Sequence, residues 1–355
     1  MNEVLTQRVR EGNEADRKGI IALRELVFGE MEKDKCDPRY WNWEFLEGPD
    51  GKAWIYLIEA GDQIVGHLAD LPRQFAIHGK ASPGTLSVDL MVHPGYRRKG
   101  FFLKMGRHAI ERVKEENRLF MMIYPIRKET IDGFKKLGWH VVLELPVLVY
   151  PIDFGGIVQR YVPSRIASLV AGGIASVGYS LFCRGGERKG AKEIELTGVS
   201  QFDHRFDRFW EKAISLNPIM GVRDQSFLRW RYAQHPTRTY TTYGATQQGE
   251  VVGYIVLRKV NLLRFNSAVI VDLLALDDDV ARVLIGAGIE HAAREGADLL
   301  GCMIPRVHRY FQVLRRQGFL PSFQKFLLMI YAHGFEELLL KPENWYVNWG
   351  DTDVI

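Results

Sequence analysis

The chain repeats its own pattern once, and this duplication limits the folds that it can adopt. Five landmarks recur in the same order, the first two at an offset of 187 residues, the third at 183 and the last two at 180. They begin at Trp43, Ile64, Val88, Tyr124 and Leu137 and recur at Trp230, Val251, Val271, Ile304 and Gln317. A drifting offset is typical of a duplicated unit that has lost a few loop residues. The sequence therefore predicts two copies of one fold in tandem.

Size and composition agree with two globular units. A chain of 355 residues suits two domains of ordinary size, and 46% hydrophobic residues suffice for two cores. The net charge of +4 is too small to indicate a nucleic-acid partner. Cys36, Cys183 and Cys302 lie too far apart for a metal motif or a disulfide framework. We therefore expect no metal, no nucleic acid and a reducing, cytoplasmic compartment.

The pattern divides the chain into four parts. We expect an N-terminal domain over residues 1–150, a helical and glycine-rich linker over 151–195, a C-terminal domain over 196–335 and a tail over 336–355. The charged start indicates no signal peptide. Residues 166–183 are uncharged but only weakly apolar, so a helix packed on protein is favoured over a membrane span. Peripheral membrane contact and the oligomeric state stay open.

Hydrophobic periodicity predicts the same mixture of elements in each copy. In the first copy we expect a helix from about residue 14 and a hairpin over 53–59 and 63–70. A strand over 86–92 then leads into a helix to about 117, followed by a strand over 119–124, a helix over 130–137 and a strand pair over 141–150. The predicted class is α+β (mixed α/β), with two domains that each have a mixed, mostly antiparallel sheet flanked by helices.

A cationic turn separates the strand ending at Val92 from the next helix. It reads Arg97-Arg98-Lys99-Gly100-Phe101-Phe102. The first amides of a helix lack intrahelical acceptors, and the helix dipole favours negative charge there. Three neighbouring cations strengthen that preference, so the turn is a candidate phosphate site.

The segment Val92-x-Pro94-x-Tyr96-Arg97-x-x-Gly100-x-Phe102 resembles the strand–Arg/Gln-x-x-Gly-x-Gly/Ala–helix motif of the GNAT superfamily of acyl-CoA-dependent N-acyltransferases. Gly138-Trp139 is similar to the glycine–aromatic pair that closes the GNAT domain. Phe102 replaces a small residue of the motif, and we expect its side chain to point into the helix layer. The resemblance covers about residues 5–150, and about 200–335 through the repeat.

This resemblance implies acetyl-CoA as the acyl donor, held by the first copy. Its pyrophosphate would lie on the turn formed by Arg97, Arg98, Lys99, Gly100, Phe101 and Phe102. Met91 and Val92 would offer main-chain groups to the pantetheine and thioester, and Ile126 would line the same site. In the second copy Asp277, Asp278 and Asp279 stand where the first has its cations. Because they would repel a pyrophosphate, we expect this copy not to bind CoA in the same way.

The resemblance leaves the catalytic groups less defined. GNAT members often use a tyrosine four residues before the glycine–aromatic pair as the acid, but Phe134 and Leu314 occupy that position here. Either the thiolate leaves unaided, which its modest basicity permits, or Tyr124 or another hydroxyl substitutes. For the base, Asp89 comes first by position and His93 second by its ordinary pKa. Some tandem members use their C-terminal carboxylate, although a tail that fastens the two domains together is the preferred interpretation of residues 345–355.

We therefore expect a cytoplasmic N-acetyltransferase that acts on a primary amine of a small molecule, for example an amino sugar. Two alternatives stay open. One is a non-catalytic acyl-CoA-binding or interaction protein, which the replacement of the usual tyrosine by Phe134 favours. The other is a tandem acyl or aminoacyl transferase of cell-envelope biosynthesis.

Overall fold

The computed structural model describes residues 8–29, 33–159, 194–262 and 264–353. The uncharged segment 166–183 and the glycine-rich stretch before residue 194 lie outside the described residues, so their predictions stay open. Among the described residues, no helix combines the length and the apolar character needed to cross a bilayer.

The first half of the chain alternates helices and strands much as predicted. Its helices are α1 (Arg17–Phe28), α2 (Pro38–Phe45), α3 (Phe101–Glu115), α4 (Lys128–Lys135) and α5 (Phe154–Gln159). Its strands are β1 (Arg10–Glu11), β2 (Trp54–Ala60), β3 (Gln63–Ile77), β4 (Lys80–Val92), β5 (Phe120–Ile123) and β6 (His140–Pro151). The strand pair expected over 141–150 is wrong, because β6 is one continuous strand.

The second half runs through a similar series. Its helices are α6 (His204–Ala213), α7 (Gln225–Leu228), α8 (Asp278–Arg294), α9 (Arg309–Arg316) and α10 (Glu336–Leu339). Its strands are β7 (Glu195–Gly198), β8 (Ile219–Gly221), β9 (Thr241–Gln247), β10 (Glu250–Leu262), β11 (Phe265–Ala275), β12 (Leu299–Met303), β13 (Leu320–Ala332) and β14 (Trp345–Tyr346).

These strands form one sheet that runs through both halves of the chain. The order is β1-β2-β3-β4-β5-β13-β6-β12-β11-β10-β9-β7, with β8 and β14 attached beside β3. Along this path only β4–β5 and β11–β12 are parallel pairs, and the other neighbours are antiparallel. The predicted class, a mixed and mostly antiparallel sheet flanked by helices, is confirmed.

The last strand of each half completes the sheet of the other half. β13 pairs with β5 through Met329↔Ile123, and β6 pairs with β12 through Cys302↔Leu148. β6 and β13 also pair with each other at the centre of the sheet. This exchange was not predicted, because hydrophobic periodicity predicts strands but not their partners.

The two faces of the sheet carry different layers. On one face α3 and α4 pack against the sheet through an apolar cluster that includes Phe101, Met105 and Phe134. The other face is covered by α1, α2 and the chain after Trp345, whose apolar residues belong to a larger core that continues into the second half. We call this second side the tail face.

Trp43 and Trp230, which the repeat makes equivalent, meet where the two halves join. Their rings stack with centroids 4.6 Å apart and planes 12° apart. Each indole Nε1 donates to the backbone oxygen of the other residue, over 2.8 Å from Trp43 and 3.1 Å from Trp230. Such mutual contacts are typical of an interface with two-fold symmetry, and the buried rings contribute a large apolar area.

We expect Trp43→Ala to lower the free energy of unfolding by about 3 to 5 kcal/mol, because it removes a buried aromatic side chain. Trp230→Ala should have a similar effect, and the double variant should cost clearly less than the sum of the two. Urea unfolding measures all three, with Phe323→Ala as the control because that ring is 86% exposed. Additive effects would show that the stack does not couple the two halves.

Candidate active site

Strand β4 leaves its neighbour β5 early and so exposes one edge. β4 continues to Val92, yet it pairs with β5 only at Thr85↔Met121 and Leu86↔Met122. Its register with β3 also shifts beside Asp89, which has a φ of 54°, as at a β-bulge. From Ser87 onward β4 has no strand partner on the β5 side among the described residues. Met91 and Val92 lie on this open edge, which suits an extended, amide-bearing ligand.

The cationic turn follows the open edge directly. Arg97, Arg98, Lys99 and Gly100 are all exposed, and α3 begins at Phe101. Gly100 has a φ of 82° and Arg98 a φ of 64°, so the backbone turns sharply before the helix. The first amides of α3 have no intrahelical acceptor. The turn thus presents N–H donors and three cations at one point of the surface.

Phe102 points away from the turn and into the helix layer. Its ring lies edge-on to Phe134, with centroids 5.0 Å apart. A Cβ at Gly133 would lie 2.6 Å from this ring, so glycine is needed there to make room. Phe134 is buried and also packs on Trp139, which leaves that position without a proton donor. Ile126, in the loop after β5, is 68% exposed.

Tyr124 lies at the end of β5, on the tail face. It is 5% exposed, and its hydroxyl has no hydrogen-bond partner among the described residues. Burial and the charge of Asp351 raise its pKa well above the ordinary value, although Arg73 and Arg223 oppose the shift. The phenol therefore stays protonated and can donate a hydrogen bond.

Asp89 is held by two cations. It forms buried ion pairs with Arg24 and with Lys35, whose Nζ lies 3.8 Å from Oδ1. Burial favours the neutral carboxyl, but the charges of Arg24 and Lys35 outweigh it and lower the pKa of Asp89. Such a carboxylate is a weak proton acceptor. The backbone oxygen of Asp89 also lies 2.7 Å from His67 Nδ1, so the residue anchors the bulge on two sides.

Glu44 was not predicted as a site residue from the sequence. Unlike Asp89, it is a carboxyl whose pKa is raised by its surroundings. It is 4% exposed on α2, and burial together with the charge of Asp89 raises its pKa to about 8. Tyr40 donates to its Oε1 over 3.2 Å, whereas its Oε2 has no hydrogen-bond partner among the described residues. One signal was available, because Arg231 replaces Glu44 at the repeat offset of 187.

His93 serves the turn itself. Its Nδ1 accepts a hydrogen bond from the backbone N–H of Gly95 over 3.1 Å, and its ring packs edge-on against Tyr96. These contacts cap the short 3₁₀ turn that precedes the cations. The structure therefore places His93 at the loop, whereas Asp89 faces Arg24 and Lys35.

The C-terminal tail runs between the two halves and brings two further carboxylates to the tail face. Asp351 Oδ2 accepts from Arg223 Nη2 over 2.7 Å, and Asp353 Oδ2 accepts from Lys35 Nζ over 3.0 Å. Asp351 and its neighbours from Trp345 onward are buried. Because Lys35 also contacts Asp89, the tail reaches the charged group at the β4 bulge. The terminal carboxylate lies outside the described residues.

The equivalent carboxylate of the second half, Asp272, is fully satisfied. It is 0% exposed and pairs with Arg223 over 3.1 Å. Tyr232, Tyr254 and Asn348 also donate to it. The acidic start of α8 is a helix cap, in which Asp277 accepts from the N–H of Val280. This half therefore has no cationic turn at the corresponding helix. Within the described ranges, no group of three or more His, Cys, Asp or Glu side chains could hold a metal ion.

Comparison with known proteins identifies the fold family. The profile of the acetyltransferase (GNAT) domain matches residues 8–142, which include β4, the cationic turn and α3. Residues 8–142 thus form a GNAT domain. None of the curated proteins matches the sequence significantly.

Solved structures of this superfamily share the fold across most of the chain. A GCN5-related N-acetyltransferase from Anabaena variabilis has a TM-score of 0.67 at 15% identity, over 94% of this chain and 75% of that one. A probable N-acyltransferase from Enterococcus faecalis has a TM-score of 0.67 at 12% identity, over 94% and 74%. The N-myristoyltransferase of Saccharomyces cerevisiae, solved with myristoyl-CoA, reaches 0.61 at 11% identity, over 92% and 79%.

The GNAT domain makes the chain a GNAT-type acyltransferase. Its acyl donor is an acyl-CoA, and its acceptor is an amine. The resemblance found in the sequence is thus confirmed at the level of the superfamily, the enzyme class and the donor.

We expect the pKa of Glu44 to make stability depend on pH. The folded pKa of about 8 lies above the ordinary value of 4.5, so the folded state binds the extra proton between them. The contribution of Glu44 to the free energy of unfolding is therefore complete below pH 4.5 and is lost as pH rises toward 8. Relative to Glu44→Gln, the wild type should lose more than about 1 kcal/mol of unfolding free energy between pH 5.5 and 8. Exposed Glu47 gives the matched control, Glu47→Gln, and parallel curves for all three proteins would contradict this.

Proposed function

We propose that the chain is an N-acetyltransferase that binds acetyl-CoA in its first copy and acetylates a primary amine of a small molecule, such as an amino sugar. One observation carries the proposal: the open edge of β4 leads directly into an exposed turn with three cations and Gly100. In the second copy the corresponding helix has an acidic start, because Asp277 caps α8 and Asp278 and Asp279 lie in its first turn. Free thiols at Cys36 and Cys302 support a cytoplasmic enzyme.

In this proposal the acyl donor, acetyl-CoA, lies along β4. The turn amides and the cations of Arg97, Arg98 and Lys99 bind the pyrophosphate. The edge at Met91 and Val92 pairs with the pantetheine amides and leads the thioester toward the bulge. Ile126, exposed on the loop after β5, offers apolar contact from the other side of the opening.

The amine then attacks the thioester carbonyl, so that a C–N bond forms and the C–S bond breaks. Tyr124 is the proposed acid, because its buried hydroxyl is protonated and has no hydrogen-bond partner among the described residues. Its proton passes to the departing sulfur. The acceptor approaches from the tail face, to which Tyr124 belongs.

The proton released by the amine needs a separate acceptor. Asp89, the first candidate by position, is better suited to anchoring the bulge, because Arg24 and Lys35 lower its pKa. We propose Glu44 for this role, acting through water, since a pKa of about 8 favours proton exchange near neutrality. His93 stays a weaker candidate, as its Nδ1 already accepts from Gly95.

We expect Arg97→Glu to abolish the stabilisation of the protein by CoA. Saturating CoA at about 100 times Kd should add about 2.7 kcal/mol to the wild type, seen as a rise in Tm. The matched control is Arg282→Glu, because Arg282 in α8 is the repeat equivalent of Lys99 at the offset of 183. Loss of the CoA effect in Arg282→Glu, but not in Arg97→Glu, would place the donor in the second copy.

We expect Tyr124→Phe to lower kcat about 100-fold or more while the affinity for CoA stays unchanged, because general acid catalysis contributes factors of that size. Thiol release with a panel of amines measures kcat, and CoA-dependent Tm shifts measure binding. Tyr331→Phe is the control, since Tyr331 packs beside Trp139 in the helix layer away from the tail face. Unchanged turnover in Tyr124→Phe would remove the residue from the mechanism.

A further inference from the structure

The second half of the chain contains a polar pocket that the proposed acyl transfer does not use. It has a volume of about 300 Å³ and lies between the chain before α6 and the start of β9. Its polar lining consists of five hydroxyl side chains, two of them on aromatic rings, and one guanidinium: Ser200, Thr239, Thr242, Tyr232, Tyr240 and Arg238. A pocket of this size and polarity suits a small, hydrogen-bonding molecule.

Arg238 brings a positive charge to the wall of this pocket. The residue is 7% exposed, and its Nε donates to Asp34 Oδ2 over 2.6 Å. Its Nη1 is enclosed by protein and has no hydrogen-bond partner among the described residues. The guanidinium therefore acts on the pocket through its charge, which one carboxylate only partly compensates.

The surroundings of the pocket favour a negative ligand. Arg231 Nη1 lies 3.5 Å from the Tyr240 hydroxyl, so a second guanidinium backs the pocket wall. Half-buried Arg258 adds a third cation, and no described residue forms an ion pair with it. Burial and the nearby charge of Arg238 lower the pKa of Arg258. Asp34 compensates Arg238, and the excess of positive charge left around the pocket attracts anions.

The first copy shows that the fold does not require these residues. At the offset of 187, the positions of Arg238, Tyr240 and Thr242 correspond to Gly51, Ala53 and Ile55. The start of β2 therefore carries small or apolar side chains, whereas the equivalent start of β9 carries hydrogen-bond donors. A structural role common to both copies cannot explain the donors.

We propose that this pocket binds a small oxyanion, a molecule bearing a phosphate or carboxylate group. The charge of Arg238 attracts the anion, and the hydroxyls of Ser200, Thr239 and Thr242, which line the pocket, donate to it. Guanidinium and hydroxyl groups are the side chains that most often bind such oxygens. The site is separate from the cationic turn and belongs to the copy that we expect not to bind CoA.

The experiment is isothermal titration of the full chain, free of CoA, with inorganic phosphate and in parallel with acetate, at constant ionic strength. We expect Ser200→Glu to weaken binding at least tenfold by placing a carboxylate at the exposed rim, and Arg238→Gln to do the same by removing the positive charge of the wall. Because Ser200→Glu leaves the Arg238–Asp34 ion pair in place, it tests the pocket even if Arg238→Gln unfolds.

Two further variants separate this site from other cations. Arg205→Gln, which removes an exposed cation paired with Asp203, should leave the affinity unchanged. Arg97→Glu should also keep phosphate binding, whether or not it loses CoA, so the two proposals can fail independently. Equal affinity in Ser200→Glu and wild type, loss of phosphate binding in Arg97→Glu alone, or no binding of either anion at roughly 10 mM would overturn the inference.

Discussion

The antiparallel pairing of β6 with β13 joins the two halves of the chain into one sheet. These two strands lie at the centre of the sheet, and each also pairs with a strand of the opposite half. The site on the first half is therefore framed by the second half, which supplies β13 and the tail. A copy without the cationic turn can keep this role, because backbone pairing does not depend on the chemistry of a loop.

The same position carries a buried carboxylate in both halves, and its partners differ. Asp272 is surrounded by Arg223, two tyrosine hydroxyls and Asn348. These donors leave neither of its carboxylate oxygens without a hydrogen-bond partner. Asp89 is held instead by Arg24 and Lys35, next to Glu44, whose pKa is raised to about 8. The first site therefore keeps a titratable group beside the open strand edge, whereas the second is a closed hydrogen-bond network.

Local patterns in the sequence were enough to predict α1, α3 and α4, most strands of the first half, the cationic turn and the superfamily, whereas α2 was not predicted. Each depends on neighbouring residues, as in the αL glycine at Gly100 or the helical spacing in α3. The strand exchange, the tail's route to Lys35 and the importance of Glu44 depend on contacts between distant residues. Besides burial, the pKa of Glu44 depends on charges from α1, the strand bulge and the tail, namely those of Arg24, Asp89 and Asp353. No local pattern encodes that environment.

The strand exchange also sets the order in which the protein can fold during synthesis. When β5 leaves the ribosome its outer edge has no partner, because that partner, β13, is made almost at the end of the chain. β6 similarly waits for β12 and β13. Open strand edges are sites of mispairing and aggregation, and such long-range pairing slows folding. The sheet of the first half therefore remains incomplete in the nascent chain until the second half has been made.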